Sequence, residues 1–281
     1  MNFIEWLKVI LLGIVEGITE WLPISSTGHL ILTDAIWPLQ QSDAFKEMFN
    51  VVIQLGAILA VVVLYWSKLW PFHRKRIPQR SWFAQQSTNG FVGGLQRFGD
   101  RYCCMDKIVM WLKIAASFLP AMLIGLPLND WLDKHFYNPT VVALMLLLYG
   151  AGFLFVERYN RSRKPRVNSI ASLRWSDALL IGVFQVLALI PGTSREVAAE
   201  YTFFLAVPVM FGASLLKIVK FGTISGTELG VLLVGMAVAF GVSILAIRFL
   251  MGYIRKHDFT AFGWYRIGLG LLVLLYFYVI R

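Results

Sequence analysis

The sequence predicts an all-α polytopic integral membrane protein, and three observations lead there. Hydrophobic residues make up 58% of the 281 positions against 15% charged, and the mean hydropathy is +0.66. The apolar residues are gathered into runs near the roughly 20 residues that a helix needs to cross a bilayer. Most of the bases lie between these runs.

Taken in order, the first run covers 3–22 and stops at Pro23. It carries Glu5, Glu16 and Glu20 where the core of a cleavable signal would be uniformly apolar, so the N-terminus is expected to belong to the working protein. Stretches 51–66, 108–127, 140–156, 201–218, 228–250 and 264–280 are each apolar enough to span, giving about six transmembrane helices. A second short run, 178–191, again ends in a proline followed by a polar cluster. Both short runs read as re-entrant half-helices.

Loop charge orients the chain. Segment 67–107 holds eight bases, including Lys68, Arg74, Arg97 and Lys107, and 157–174 holds six more, while 128–139 carries Asp130 and Asp133. The two basic loops and the Arg255-Lys256 turn are therefore expected on the cytoplasmic side, with 128–139 and 219–227 outside. The net charge of +10 is thus explained by loops facing anionic headgroups, and the expected partner is the lipid bilayer, with no nucleic acid. Cys103 and Cys104 are adjacent, which provides neither a disulfide framework nor a metal-ligand spacing.

Chemistry concentrates at the two broken runs. Glu16 and Glu20 are four residues apart, so a helix brings both carboxylates to one face. Pro23 then disfavours helix at Leu22, leaving Ser25, Ser26, Thr27 and Gly28 as an irregular loop with free N–H groups ahead of His29. Irregular backbone at membrane depth is tolerated only inside protein or along a cavity, and ionisable groups there mark function by default. The second cluster, Pro191-Gly-Thr-Ser-Arg195, adds a guanidinium suited to phosphate, with Thr193 and Ser194 offering hydroxyls and N–H groups.

The clusters also resemble each other, with E20-W-L-P-I-S-S matched by A188-L-I-P-G-T-S. Repeated broken helices point to an inverted repeat with a site near the midplane. The expectation is a single membrane domain over 1–281, with a first repeat of about 1–127 including the cytoplasmic loop 67–107, and a second of about 140–281. The two clusters would enter from opposite faces and meet.

Such a constellation suits a lipid phosphate ester or anhydride. Arg195 would hold the phosphoryl group, Ser26 or His29 would attack or shuttle a proton, and Glu16 and Glu20 would coordinate a divalent cation, Mg²⁺ or Ca²⁺, or position water. A transporter or flippase for a phosphorylated polyprenyl lipid is the alternative, since broken helices in repeats are foremost a transporter pattern. An intramembrane serine protease fits less well, because two glutamates and an arginine suit an anion better than a peptide.

On these residues the chain closely resembles the undecaprenyl-diphosphate phosphatase family, also called bacitracin-resistance proteins. The motifs are E16-G-I-T-E-W-L-P-I-S-S-T-G-H29, V51-V-I-Q-L-G-A-I-L-A, P191-G-T-S-R195, F203-F-L-A-V-P-V-M-F-G-A-S-L-L216 and Y265-R266, drawn from both halves. The resemblance implies removal of the terminal phosphate of undecaprenyl diphosphate in the bacterial plasma (inner) membrane. The site would open to the periplasmic side, and the resemblance is compatible with a homodimer. It places Glu16, Glu20, Ser26, His29 and Arg195 on the family's catalytic and binding positions, with Ser25 and Thr27 in the same signature. One departure stands out: Arg195 runs directly into E196-V-A-A-E200, where the family has roughly fifteen further residues forming the return limb of a second hairpin. Convergence of Arg195 on the His29 cluster is the expectation that this shortening tests.

Overall fold

The protein is described by a computed structural model covering residues 2–72, 99, 102–136, 138–161, 165–184 and 193–280. Most of loop 67–107, the end of the 178–191 run and the Pro191-Gly192 pair lie outside the described residues. Every long element among those described is helical, as the composition predicts.

Helix α1, Phe3–Thr19, starts where Asn2 accepts the N–H of Glu5 at 2.9 Å, and its ladder closes with Glu20 N–H on the Glu16 carbonyl. It ends three residues before the apolar run does, because Pro23 forbids helix just ahead of it. After a turn that places Ser25 at φ +74°, α2 runs over Ser26–Ile36. Helices α3, Asp43–Val52, and α4, Gln54–Leu64, come next, almost end to end with one residue between them. The span expected at 51–66 therefore begins earlier. Ser42 caps α3, and the buried face of Phe45, Met48, Phe49 and Val52 draws it into the core. A short turn of helix, α5, covers Trp66–Leu69.

The remaining long helices are α6 Met105–Phe136, α7 Pro139–Asn160, α8 Trp175–Phe184, α9 Arg195–Phe221, α10 Gly226–Ile254 and α11 Thr260–Leu275. Their ends obey ordinary capping chemistry. Asn138 caps α7, which has proline in its first turn; Ser194 caps α9; and Ser225 with Glu228 forms a reciprocal capping box on α10. Gly222, at φ +86°, ends α9 in a conformation that a β-carbon disfavours.

Among the described residues, five segments are long and apolar enough to cross a membrane: 43–64, 139–160, 195–221, 226–254 and 260–279. The sixth expected span, 108–127, lies inside α6, whose 32 residues would extend about 48 Å. Large apolar side chains such as Phe155, Val219, Leu245 and Phe249 are exposed, as expected where lipid rather than water is the solvent.

Small residues let the helices approach. Helix α1 lies along α10, where a β-carbon at Gly13 or Gly17 would stand 2.8 Å from the carbonyl oxygen of Gly235 or Ala239. Helix α8 lies along α6 in the same manner, and a β-carbon at Gly182 would come within 2.0 Å of the Ser117 carbonyl oxygen. Each broken run is thus braced by a long helix from elsewhere in the chain. Helices α7 and α11 pair with each other, and α9 packs on α3 and α4. The largest buried cluster, including Trp21, Phe153, Tyr201, Phe203, Phe204 and Phe259, lies beneath the α1–α2 turn.

Candidate functional site

The break between α1 and α2 builds the site. With Pro23 ending α1, the chain needs a sharp reversal, and Ser25 makes it at φ +74°, the only positive φ of a residue other than glycine among the described residues. Such a conformation persists only where its surroundings hold it. Two bonds do so here: Ser25 Oγ accepts the N–H of Gly28 at 3.3 Å, and the Ser25 carbonyl lies 2.7 Å from His29 Nδ1.

Glu20, Ser25 and Ser26 line one cavity of about 240 Å³, together with Thr19, Phe153, Thr202 and Arg266. Glu20 stands between the Ser26 hydroxyl and the Glu16 carboxyl, close enough to interact with both. Glu16 itself is 0% exposed, one turn back from the cavity wall, and neither of its oxygens has a hydrogen-bond partner among the described residues. A buried carboxyl with two orphaned oxygens beside a second carboxyl is a costly arrangement for a protein to keep without use. The donor set fits a hard divalent cation, for which one or two carboxylates plus substrate oxygens suffice. No cluster of three or more metal-ligating side chains occurs among the described residues.

His29 lies outside the cavity lining. A carbonyl only accepts, so Nδ1 carries the proton and donates it to Ser25, which leaves Nε2 to accept the Tyr265 hydroxyl at 2.8 Å. The two rings also stack, 5.6 Å apart and 10° from parallel. Thr27 and Gly28 form the first turn of α2, where Gly28 is buried.

The second cluster goes elsewhere. Thr193 pairs with Val167 in an isolated bridge, Ser194 donates its N–H to the Val167 carbonyl, and the Ser194 hydroxyl caps α9 at Val197 N. Arg195, at the first position of α9, is drawn to α7. Its Nε donates to Glu157 Oε1 at 2.9 Å and its Nη2 to Oε2 at 2.6 Å. Glu157 is buried and also accepts the N–H of Phe259 at 3.2 Å. Neither Thr193, Ser194 nor Arg195 lines the cavity.

Among the described residues, the cation on the cavity wall is Arg266, whose side chain donates from Nε to the Pro23 carbonyl at 2.7 Å and packs 4.8 Å from the Phe153 ring centre. Sequence reasoning placed Tyr265 and Arg266 in a motif but gave them no role. The signal was present: an arginine within the last apolar run meets the same rule that singled out Glu16 and Glu20.

The comparisons agree with the motif reading. A family model described as bacitracin resistance protein BacA matches residues 9–272. The undecaprenyl-diphosphatase of Acetivibrio thermocellus is 52% identical over 99% of this chain and 100% of its own. That of Enterococcus faecalis is 50% identical over 98% of each chain. Undecaprenyl-diphosphatase 1 of Clostridium acetobutylicum is 49% identical over the full length of both. This last alignment runs over 297 positions for the 281 residues here, so at least sixteen of its positions have no residue in this chain. A match that spans both halves and contains both broken runs leaves one conclusion: the chain belongs to the BacA bacitracin resistance protein family.

Proposed function

We propose that this chain removes the terminal phosphate of undecaprenyl diphosphate, releasing inorganic phosphate and undecaprenyl phosphate for reuse as a lipid carrier in cell-wall synthesis. The observation that carries this reading is identity of about half to undecaprenyl-diphosphatases along the whole chain, with Glu20, Ser25 and Ser26 of the first motif gathered at one cavity wall.

Phosphoryl transfer demands positioning and charge stabilisation more than covalent chemistry. The start of α2 offers unpaired N–H groups and the positive end of a helix to an anion, with Ser25, Ser26, Thr27 and Gly28 forming the approach. Glu20 takes the proton of the attacking hydroxyl, which is that of Ser26 or of a water held beside it. The new O–P bond forms as the bridging P–O bond breaks, and the electron pair leaves on undecaprenyl phosphate. Through Ser26 the phosphoserine is then hydrolysed by water. Both nitrogens of His29 are bonded, so it holds Ser25 in its reversed conformation rather than attacking. Glu16 and Glu20 would hold Mg²⁺ or Ca²⁺, which when bound supplies positive charge to the phosphate oxygens.

The matching support of α1 by α10 and of α8 by α6 favours the inverted-repeat reading. The plasma membrane, a site open to the periplasmic side and a homodimer belong to the same proposal and rest on the family resemblance. The test is phosphate release from undecaprenyl diphosphate by the purified chain in detergent, with and without a chelator. Hydrolysis without a membrane gradient supports the enzyme. Binding without hydrolysis favours the transporter reading, and activity unaffected by chelation removes the metal.

A further inference from the structure

We propose that the lipid-facing side of α10, near its Arg255 end, binds an anionic phospholipid of the bilayer, with Arg248 holding the lipid phosphate. The helix sets the level of this residue. From Leu229 to Ile247 it carries no charged side chain, a rise of about 28 Å that matches the roughly 30 Å thickness of the hydrocarbon core. Arg248 is the first charge after that run, so it stands where hydrocarbon gives way to headgroups. On the loop-charge reading, this is the cytoplasmic boundary.

A cation within a membrane helix ordinarily turns inward and finds a partner. Lys113 donates to the Leu173 carbonyl, and Lys217 is held by Glu47. Arg248 does neither: it is exposed, and among the described residues it has no hydrogen-bond or ion-pair partner. Leu245 and Phe249 beside it are 67% and 59% exposed. Its surroundings are therefore lipid, and the anion available at that level is a lipid phosphate, for which a guanidinium is well suited.

The face also has room for a headgroup. Gly241, Leu245, Arg248, Gly252 and Arg255 recur at spacings of four and three, which places them on one side of the helix. A β-carbon at Gly241 or Gly252 would meet nothing within 4 Å. Gly252 thus leaves a notch between Arg248 and Arg255, and Arg255 is itself 65% exposed and only loosely paired with Glu196 at 3.8 Å. A second copy of the chain suits this face poorly, because a two-fold axis along the membrane normal would turn Arg248 toward its own copy. An anionic headgroup answers both arginines while its chains cover Leu245 and Phe249. Gly235 and Ala239 of the same helix hold α1, so the lipid seats on the helix that braces the first broken run.

The experiment titrates the purified full-length chain in detergent with dioleoyl phosphatidylglycerol and counts bound lipid by native mass spectrometry, with dioleoyl phosphatidylcholine and inorganic phosphate in parallel. The parent is expected to bind phosphatidylglycerol roughly fivefold or more tighter than phosphatidylcholine, since each base near the membrane surface contributes a factor of about five. Arg248→Gln should weaken phosphatidylglycerol roughly fivefold and leave phosphatidylcholine alone. Arg174→Gln, which removes an exposed base elsewhere, should keep the affinity within about twofold. Gly252→Leu fills the notch with both charges kept and should weaken the lipid to a similar extent. Its melting temperature should not fall, because the added side chain has open space and leucine favours helix, so this variant judges the proposal should Arg248→Gln fail to fold. Parent-like affinity in Arg248→Gln, equal losses in Arg248→Gln and Arg174→Gln, or free phosphate bound as tightly as the lipid each overturns it. A parent dimer that Gly252→Leu splits assigns the face to a second copy and overturns it as well.

Discussion

Residues 20–29 and 188–197 begin alike and end differently. Each comes after an apolar run and carries a proline and then a hydroxyl pair, and each ends in a serine that caps the next helix, yet one does so from a strained turn at a cavity and the other from ordinary extended backbone. In the first, six residues separate α1 from α2, so the turn has length enough to reverse, and Ser25 both adopts φ +74° and lines the cavity. In the second, α9 starts at Arg195, and Ser194 sits in ordinary extended backbone at φ −67°, ψ 147°. Measured from its proline, the next helix starts three residues on in the first motif and four in the second, so the start of the helix does not separate them. What differs is the backbone at the capping serine, φ +74° at Ser25 against extended backbone at Ser194, and with it where the side chain is carried.

The comparison predicts unequal consequences for equivalent changes. The largest should come from the carboxyls of the first region. Glu20→Gln is expected to lower phosphate release roughly a hundredfold or more with the melting temperature unchanged, the usual cost of losing a general base. Glu16→Gln should act in the same direction. Parent-like turnover in both would remove the carboxyl pair from the chemistry.

Next is the bracing of the two broken runs. Gly182→Ala sets a β-carbon against the backbone carbonyl of Ser117, where no side chain can yield. Thermal or denaturant unfolding should show a loss of about 1–3 kcal/mol. A neutral result would mean that α8 and α6 do not cross so closely.

In the second region, Arg195→Gln or Glu157→Gln should affect stability before chemistry. The pair is buried on the Glu157 side but 39% exposed on the Arg195 side, so its loss is set at about 1–2 kcal/mol after allowance for solvent screening. The double variant should recover part of it, since the stranded partner is then neutral too. Full additivity of the two single changes would show that they do not interact.

Ser25 separates strain from capping. Ser25→Ala keeps the disfavoured φ and loses the cap, costing about 1 kcal/mol. Ser25→Gly relieves the backbone and should come out near neutral. Equal losses in the two variants would contradict the turn as described. The smallest effect belongs to Tyr265→Phe, which removes one hydrogen bond from His29 Nε2 and should cost about 1 kcal/mol in turnover or stability. A loss as deep as that of Glu20→Gln would give Tyr265 a direct part in the reaction.

Much of the protein was legible in its sequence because the physics is local. Runs of about 20 apolar residues declare helices in a bilayer, Pro23 declares a break, and a four-residue spacing places Glu16 one turn behind Glu20. Five of the six expected spans correspond to described helices that are long and apolar enough to cross, and Glu20, Ser25 and Ser26 of the first polar cluster line a cavity. The earlier start of the 43–64 span was less visible, because Ser42 and the Phe45 face matter only once a core is there to receive them.

Partner choice over long sequence separations was decided by the fold alone. Arg195 and Arg266 are both arginines beside broken or apolar runs, and residue type does not distinguish them. Glu157 lies 38 residues from the one and Pro23 lies 243 from the other. Only the pairing of α7 with α11, and the start of α9 directly after Ser194, turns Arg195 toward a carboxylate and brings Arg266 to the turn below α1. The sequence by itself determined the membrane class, the break and the chemistry of the first cluster, because those depend on neighbours within a turn or two. Which guanidinium reaches the cavity depended on which helices pack together, a choice made by many weak contacts summed over the whole molecule.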